Sequence, residues 1–402
     1  MRAVSAWSMA LATPRDESRT VAGAELADEL VAVGRSYGLA AVGVTDAEIF
    51  TETLQDLLDR RRQGLQGDMQ FTYRNPERST DPRRILPGAR SLVVGAWGYR
   101  REDPDDDARE SPQRPRARVA RYAQRDHYAS LRLALSAVAD RLKQDGWRAT
   151  VVCDDNALVD RAAAHRAGLG WFGKNSLLLL PGLGSWFVLG SVVTDAPLCV
   201  DPEPLRPTTL HGHGSGCGSC TRCMTACPTG ALVSPGVVDA RRCLAWLVQA
   251  PGSFPDEFRE ALGDRIYGCD ECQSVCPINR LAERRDPPPP MEPGRDGDGE
   301  AGVDLLGLLQ SSDADLLDRH SRWYIAGREP RYLRRNALVA LGNIGDGSDP
   351  DTEAALRRAL DDPDPMITEH ARWAAQKLGR NDLVAGVGGR AGVAVGVGVA
   401  LA

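Results

Sequence analysis

No stretch of this 402-residue chain is an unbroken run of apolar residues of the roughly 20-residue length that a membrane-crossing helix needs. The longest apolar run, Leu177 to Val193, is broken by Pro181 and several glycines and flanked by Lys174 and Asp195. It reads as two buried strands around the turn Pro181-Gly182-Leu183-Gly184. An export signal is also lacking: Arg2 precedes a weakly apolar stretch, and Arg15, Asp16 and Glu17 arrive before an apolar core forms. Positive charge is not in excess, since 49 Lys and Arg stand against 55 Asp and Glu for a formal charge of −6. Contact with a polyanion must therefore come from a local patch. What is left is a soluble, cytoplasmic, globular chain with no membrane partner. Its 42% apolar content suffices for a large core, and its length suggests two or three domains of roughly 100–200 residues.

Cysteine is present and concentrated. Eight of the ten cysteines lie between Cys217 and Cys276, a clustering that fits metal ligation in a reduced compartment better than the scattered disulfides of small secreted domains. Cys217, Cys220, Cys223 and Cys227 follow C-x2-C-x2-C-x3-C-P; Cys243, Cys269, Cys272 and Cys276 come later, the last again before a proline. In such runs the fourth cysteine ligates the other cluster. The spacing therefore predicts two crossed [4Fe-4S] quartets, Cys217, Cys220, Cys223 and Cys276 for one, and Cys227, Cys243, Cys269 and Cys272 for the other. Paired zinc sites are the alternative, but zinc ribbons use paired C-x2-C knuckles and do not need the triple-plus-proline run. Cys153 and Cys199 lie apart in apolar surroundings and read as buried structural thiols.

Two clusters move electrons, and most of the chain must supply their destination. Residues 25–38 read as an amphipathic helix, 39–45 and 91–99 as strands, about 128–145 as a long helix, and 148–154 as a strand followed by a helix through 157–170. This predicts a multidomain α+β or α/β chain: a start without structure at 1–20, a mixed α/β domain at 21–204, a ferredoxin-like two-cluster module at 205–283, and a linker at 284–303. Helices of HEAT-repeat type follow at 304–380, and then a low-complexity tail at 381–402. Arg319, Arg322, Arg328, Arg331, Arg334 and Arg335 fall within seventeen residues. Arg331, Arg334 and Arg335 have the spacing of one helical face, and the group reads as a phosphate-binding patch against an ordinary solvated face.

Residues 151–190 carry the candidate chemistry. Asp154 ends a strand; held against an apolar cofactor face, its carboxyl would gain proton affinity and could act as an acid near neutral pH. The competing reading makes this acidic pair part of a cap for the helix that follows, with Asp155 or Asn156 as the N-cap. Gly168 to Lys174 matches G-x4-G-K, but Asn175 stands where a phosphate loop has Ser or Thr, and helix precedes loop where strand should, so ATP hydrolysis is set aside.

Asp154 with Asp160-Arg161, AGLGWFGKNSLLL, GSWFVLG and TDAPL, then CGSCTRCMTACPTGAL, DARRCLAWL and RIYGCDECQSVCP, resemble the epoxyqueuosine reductases, and RNALVALGN resembles that family's C-terminal repeat. The resemblance runs from about residue 25 to 380. It implies a cobalamin-dependent enzyme with two [4Fe-4S] clusters that reduces epoxyqueuosine to queuosine at the tRNA wobble position, and kinship to corrinoid dehalogenases. It also implies Asp154 as proton donor and cobalamin contacts from Arg78, Asp154, Lys174, Asn175, Ser176, Leu178 and Leu189, several through backbone groups. The anticodon stem-loop is the implied substrate, held by Arg331, Arg334 and Arg335; a monomer served by an unidentified electron donor is expected. The chain departs from the family at Ala120, where some members have Cys or Ser, and at Asp126-His127-Tyr128, where the family order is Asp-Tyr-His. No Asp-x-His-x-x-Gly cobalt-ligand motif is present. The competing functions are a dehalogenase-like corrinoid reductase of a small molecule and a non-catalytic ferredoxin-type carrier; dependence on tRNA and corrinoid binding separate them.

Overall fold

The structure is a computed structural model that describes residues 14–100, 114–198, 214–285 and 302–385. Cys199, His211, His213, most of the expected linker and most of the expected tail lie outside the described residues. The chain divides into two compact units. The first comprises 1–64, 70–99 and 127–219, and the second 65–69, 100–126 and 220–402. The expected cluster module and helical module thus share one unit, which two earlier excursions of the chain also join.

Unit 1 is built on β1 (Ala41–Asp46), β2 (Ser91–Gly98), β3 (Ala149–Cys153) and β4 (Phe187–Thr194), in the order β1-β2-β4-β3. All three pairings are antiparallel. Helix α1 (Pro14–Ser36) begins well before the expected residue 25, and α2 (Thr51–Arg62) follows β1. A one-turn helix, α3 (Pro76–Ser79), precedes β2, while α4 (His127–Gln144) and α5 (Asp160–Arg166) flank β3. Alternation along β2 sends Leu92, Val94 and Ala96 into one apolar cluster with Leu158, Ala162 and Ala163 of the α5 region. The opposite face meets α4: a Cβ on Gly95 would stand 3.1 Å from Leu135 and one on Gly190 2.7 Å from it, so glycine lets α4 lie close to the sheet.

The expected hairpin at 177–193 is only partly formed. Leu180 and Gly184 do bridge across the turn, but the two-residue strand Leu178–Leu179 pairs with Trp171–Phe172, and β4 pairs with β2 and β3. Periodicity reports that both segments are buried, not which partner each takes.

In unit 2 the strand Arg116–Val119 lies between Arg265–Tyr267, parallel to it, and Gly302–Asp304, antiparallel to it. The short helices α6 (Arg222–Ala226) and α7 (Glu271–Ser274) carry cluster cysteines and pack together. The C-terminal part is α8 (Arg331–Ile344), α9 (Pro350–Leu360) and α10 (Pro365–Lys377), with α10 packed on both others. The apolar stretch 352–379 divides because Asp349 and Asp364 cap the main-chain N–H groups of Thr352 and Met366, with a proline at the first helical position each time. No helix among the described residues is long and apolar enough to cross a membrane.

Candidate active site

The strand β3 ends at Cys153, opposite Gly190 of β4; one step further along the register brings Asp154 to the level of Leu189. There the chain turns sharply, with Asp154 at φ +54°, a left-handed conformation that aspartate tolerates better than most residues. The turn separates the two acidic neighbours. The Asp155 carboxylate accepts from the Ala157 N–H at 2.8 Å and stays local, closing a turn. Neither it nor Asn156 caps α5, whose N-cap is Val159; the expected cap is corrected because the helix starts later than the apolar pattern suggested.

Asp154 is open to solvent, yet desolvation by the surrounding protein is the main influence on its carboxyl and pushes it above the usual carboxylate range; Arg132 opposes that shift and Asp155 adds to it. Asp160, at the start of α5, is raised well above that range, first by burial and then by the charge of Asp154, with Arg161 opposing. Its Oδ1 is buried without a hydrogen-bond partner among the described residues. The Tyr128 phenol is also held protonated, chiefly by burial and then by the charges of Asp154 and Asp160. Burial lowers the Arg161 pKa, and Tyr73, Arg60, Asp160 and Tyr128 are the groups acting on it. The Arg161 residue is nonetheless exposed, so it is surrounded by protein without being shut off from solvent. A carboxyl of raised proton affinity, a second, more deeply desolvated carboxyl, a phenol and a guanidinium of unit 1 therefore act on one another electrostatically.

The loop from Gly170 to Ser176 forms another part of this region. Arg161 Nη1 donates to the Ser176 carbonyl at 2.7 Å, and His165 Nδ1 lies 2.8 Å from the Gly170 carbonyl. Ser176, at φ +64°, is the second non-glycine residue of unit 1 in a left-handed conformation. Such conformations persist where the surroundings impose them and cluster at functional sites. Asn175 is buried and its Oδ1 accepts from the Leu177 N–H at 3.3 Å. Arg78 sits on α3, where the neighbouring Ser79 hydroxyl donates to the Asn156 carbonyl at 2.5 Å, so α3 is pinned to the Asp154 loop. Leu178 and Leu189 are buried in the core, which leaves their main chain as the part that could face a ligand.

Lys174 turns toward the first cluster loop, its Nζ donating to the Gly218 carbonyl at 2.7 Å. Cys217 belongs to unit 1, and Cys220, Cys223 and Cys276 belong to unit 2. Within unit 2, cysteines of the other expected quartet act on one another electrostatically. Burial is the first cause that pushes the Cys269 thiol up to about 11, and Cys243 is among the charges that add to it. Cys272 is raised by burial, then by Cys269 and Cys243 and further by Asp270 and by Cys223 of the other expected quartet, while Cys243 is raised by burial and by Cys227. Burial also opposes the thiolate of Cys227, but main-chain donors overcome it and hold this thiol below its usual value; the Ala231 N–H lies 3.2 Å from its sulfur. No group of three or more His, Cys, Asp or Glu among the described residues converges on a single ion; a cubane places its own irons and sulfides between its ligands. The glycine before Cys269 is required: a Cβ on Gly268 would stand 2.4 Å from that of Ala120. Ala120 is therefore the small wall of this cluster loop.

Two placements correct the sequence reading. Arg335 is fully buried and donates to the carbonyls of Leu247, Ala250 and Gly252 at 2.5–3.0 Å, so it cannot meet RNA; helical spacing located its face but not what covers it. Arg334 and Arg331 are paired with carboxylates, the former with Asp313 at 2.6 Å and the latter with Glu329 at 2.6 Å and Asp364 at 3.4 Å. His127 is buried against the Tyr99 ring at 5.3 Å; Tyr128, the next residue, is the one coupled to Asp154. Sequence reasoning assigned no role to Tyr128, Arg132 or Asp160, and the altered order at 126–128 was the one available signal.

Thiol loops of cubane spacing together with an acid-bearing turn define an iron–sulfur oxidoreductase. The description "Epoxyqueuosine reductase QueG, DUF1730" matches residues 79–155, and "4Fe-4S double cluster binding domain" matches residues 216–279. Epoxyqueuosine reductase of Burkholderia pseudomallei is 34% identical over 87% of this chain and 92% of that protein, and that of Bacillus subtilis 34% over 88% of each. A crystal structure of epoxyqueuosine reductase with a tRNA-Tyr epoxyqueuosine-modified stem loop is 30% identical and covers 91% of this chain and 94% of that one, at a TM-score of 0.77. The chain belongs to the epoxyqueuosine reductase family.

Proposed function

We propose that this protein reduces epoxyqueuosine to queuosine at the wobble position of tRNA, with cobalamin bound in a cleft of unit 1 and two [4Fe-4S] clusters feeding it electrons. The observation that carries the reading is the mutual electrostatic influence of Asp154, Asp160, Tyr128 and Arg161 in a chain with both cluster loops. A buried Asp160 oxygen without a partner among the described residues, close in sequence to the Asp154 turn, supports a polar ligand such as cobalamin there.

Converting an epoxide to an alkene breaks two C–O bonds, takes up two electrons and two protons, and releases the oxygen as water. Cobalamin bound here would supply strongly reducing electrons to the epoxide. Asp154 is the acid for the departing oxygen, with a carboxyl that keeps its proton to higher pH than an ordinary one. Arg161 orients the Ser176 turn through its carbonyl, and Arg78 is set beside the Asp154 loop by Ser79. Lys174 joins the same loop to the strand of chain around Cys217, giving the first cluster a short route to the cleft. The C-terminal helices would serve as a HEAT-like platform for the anticodon stem, a flipped base entering the cleft. Within the arginine-rich segment the exposed side chains are Arg319, Arg322, Arg328 and Arg331.

The test is anaerobic reconstitution with iron, sulfide and cobalamin, followed by reduction in the presence of an epoxyqueuosine-modified stem loop. Conversion of the nucleoside is expected; a loaded protein that leaves the RNA untouched and turns over a halogenated compound instead would replace this reading with the small-molecule one. The crossed ligand sets make a separate prediction. Cys227→Ser should abolish the cluster shared with Cys243, Cys269 and Cys272 and spare the one shared with its near neighbour Cys223, leaving half the iron by analysis and one of two EPR signals. Loss of the other signal would reverse the assignment.

A further inference from the structure

The indole Nε1–H of Trp171 is buried and has no acceptor among the described residues. Trp171 opens the short strand that leads to Lys174, and the turn Ser215–Cys217 packs on it. A Cβ on Gly216 would stand 2.3 Å from Nε1, so only glycine lets the chain pass over this edge of the ring immediately before the first cluster cysteine. Hydrogen bonds fix the approach on both sides: the Gly214 N–H donates to the Phe172 carbonyl at 2.8 Å, the Cys217 N–H to the Gly214 carbonyl at 3.0 Å, and Lys174 Nζ to the Gly218 carbonyl at 2.7 Å. An indole N–H can only donate, and burying it without a partner is unfavourable.

We infer that Trp171 donates a hydrogen bond to a sulfur of the first cluster, either the Cys217 thiolate or the adjoining sulfide, and that it sets this cluster's reduction potential. The inference rests on the two-cluster reading above. Reduction adds negative charge to the sulfurs, so a donor aimed at them favours the reduced form and raises the potential. Trp171 is a positioning and tuning residue, and its effect reaches turnover only through the rate at which electrons arrive.

The measurement is an EPR-monitored redox titration of the reconstituted full chain, with iron analysis alongside. Trp171→Phe keeps the ring and removes the donor. One of the two cluster potentials should become more negative, by about tenfold in the oxidised-to-reduced ratio at fixed potential or about 59 mV for a one-electron couple, while the other stays in place. Gly216→Ala, whose methyl group would displace the indole edge, should move the same cluster in the same direction. Two unmoved potentials in an iron-replete Trp171→Phe protein would overturn the inference and leave the two-cluster reading standing. A wild-type chain that never shows two four-iron signals would overturn that reading, and the inference with it.

Discussion

Asp154→Asn is expected to leave the fold and both clusters in place and to slow conversion of the epoxide by about 10²–10⁴-fold, the usual contribution of a positioned general acid. Asparagine suits the test because it accepts the left-handed backbone of this position and has nearly the same shape, so the proton alone is removed. The pH profile supplies a second measurement. The active form carries the proton, so the rate should fall as pH rises through the Asp154 pKa. Burial displaces that pKa upward, placing the falling limb above the ordinary value of about 3.9. Arg132 works against the displacement; Arg132→Gln should therefore move the limb to still higher pH without removing activity at low pH. Single-turnover rates with pre-reduced protein would show both effects. Full turnover by Asp154→Asn, or a limb that ignores Arg132, would end the assignment of Asp154 as the acid.

What the sequence made legible was the chemistry of spacing. Cysteine intervals reported the cluster loops, and apolar periodicity reported α4 and β2 close to their observed bounds but ran α9 and α10 together as one stretch. Local identity also pointed to Asp154, because a strand end followed by a second acid and a helix is a short-range pattern. The remaining features depend on contacts far apart in sequence. Asp160 and Arg161 look like the first turn of an ordinary helix; that Asp160 acts on the Tyr128 phenol and Tyr128 on the Arg161 guanidinium shows only in the fold. Trp171 reads as one more apolar residue until Gly216, forty-five positions later, passes over its nitrogen. The 177–193 segment was assigned the wrong pairing because burial is encoded locally and strand partners are not. Arg335 went astray for a related reason: an i, i+4 face of arginines looks like a solvated or RNA-facing surface, and nothing in the helix itself shows that the loop at 247–252 closes over one of them.

That misplaced arginine gives the largest expected effect on stability. Arg335→Met should destabilise unit 2 by about 4 kcal/mol or more, at the exceptional end for one substitution. Methionine retains the apolar stem but removes the guanidinium, stranding the carbonyls of Leu247, Ala250 and Gly252 that it now satisfies. Each stranded acceptor costs about 1–3 kcal/mol, against a typical total stability of about 5–15 kcal/mol. The charge itself is under strain, since burial pushes the Arg335 pKa down to about 10, but at neutral pH it stays protonated and its donors are all used in place. Because Leu247 ends the short helix that begins directly after Cys243, the second cluster should be lost early in unfolding, and iron release would report it. Arg331→Ala is the contrasting case: its guanidinium is exposed among carboxylates, and its removal should leave the denaturation midpoint close to that of the unaltered protein. Denaturant titration of both variants, with stem-loop binding measured across a range of salt, separates the two roles. An Arg335→Met protein of unchanged stability whose RNA affinity and salt slope both fall would return that residue to the RNA-binding surface and refute the clamp.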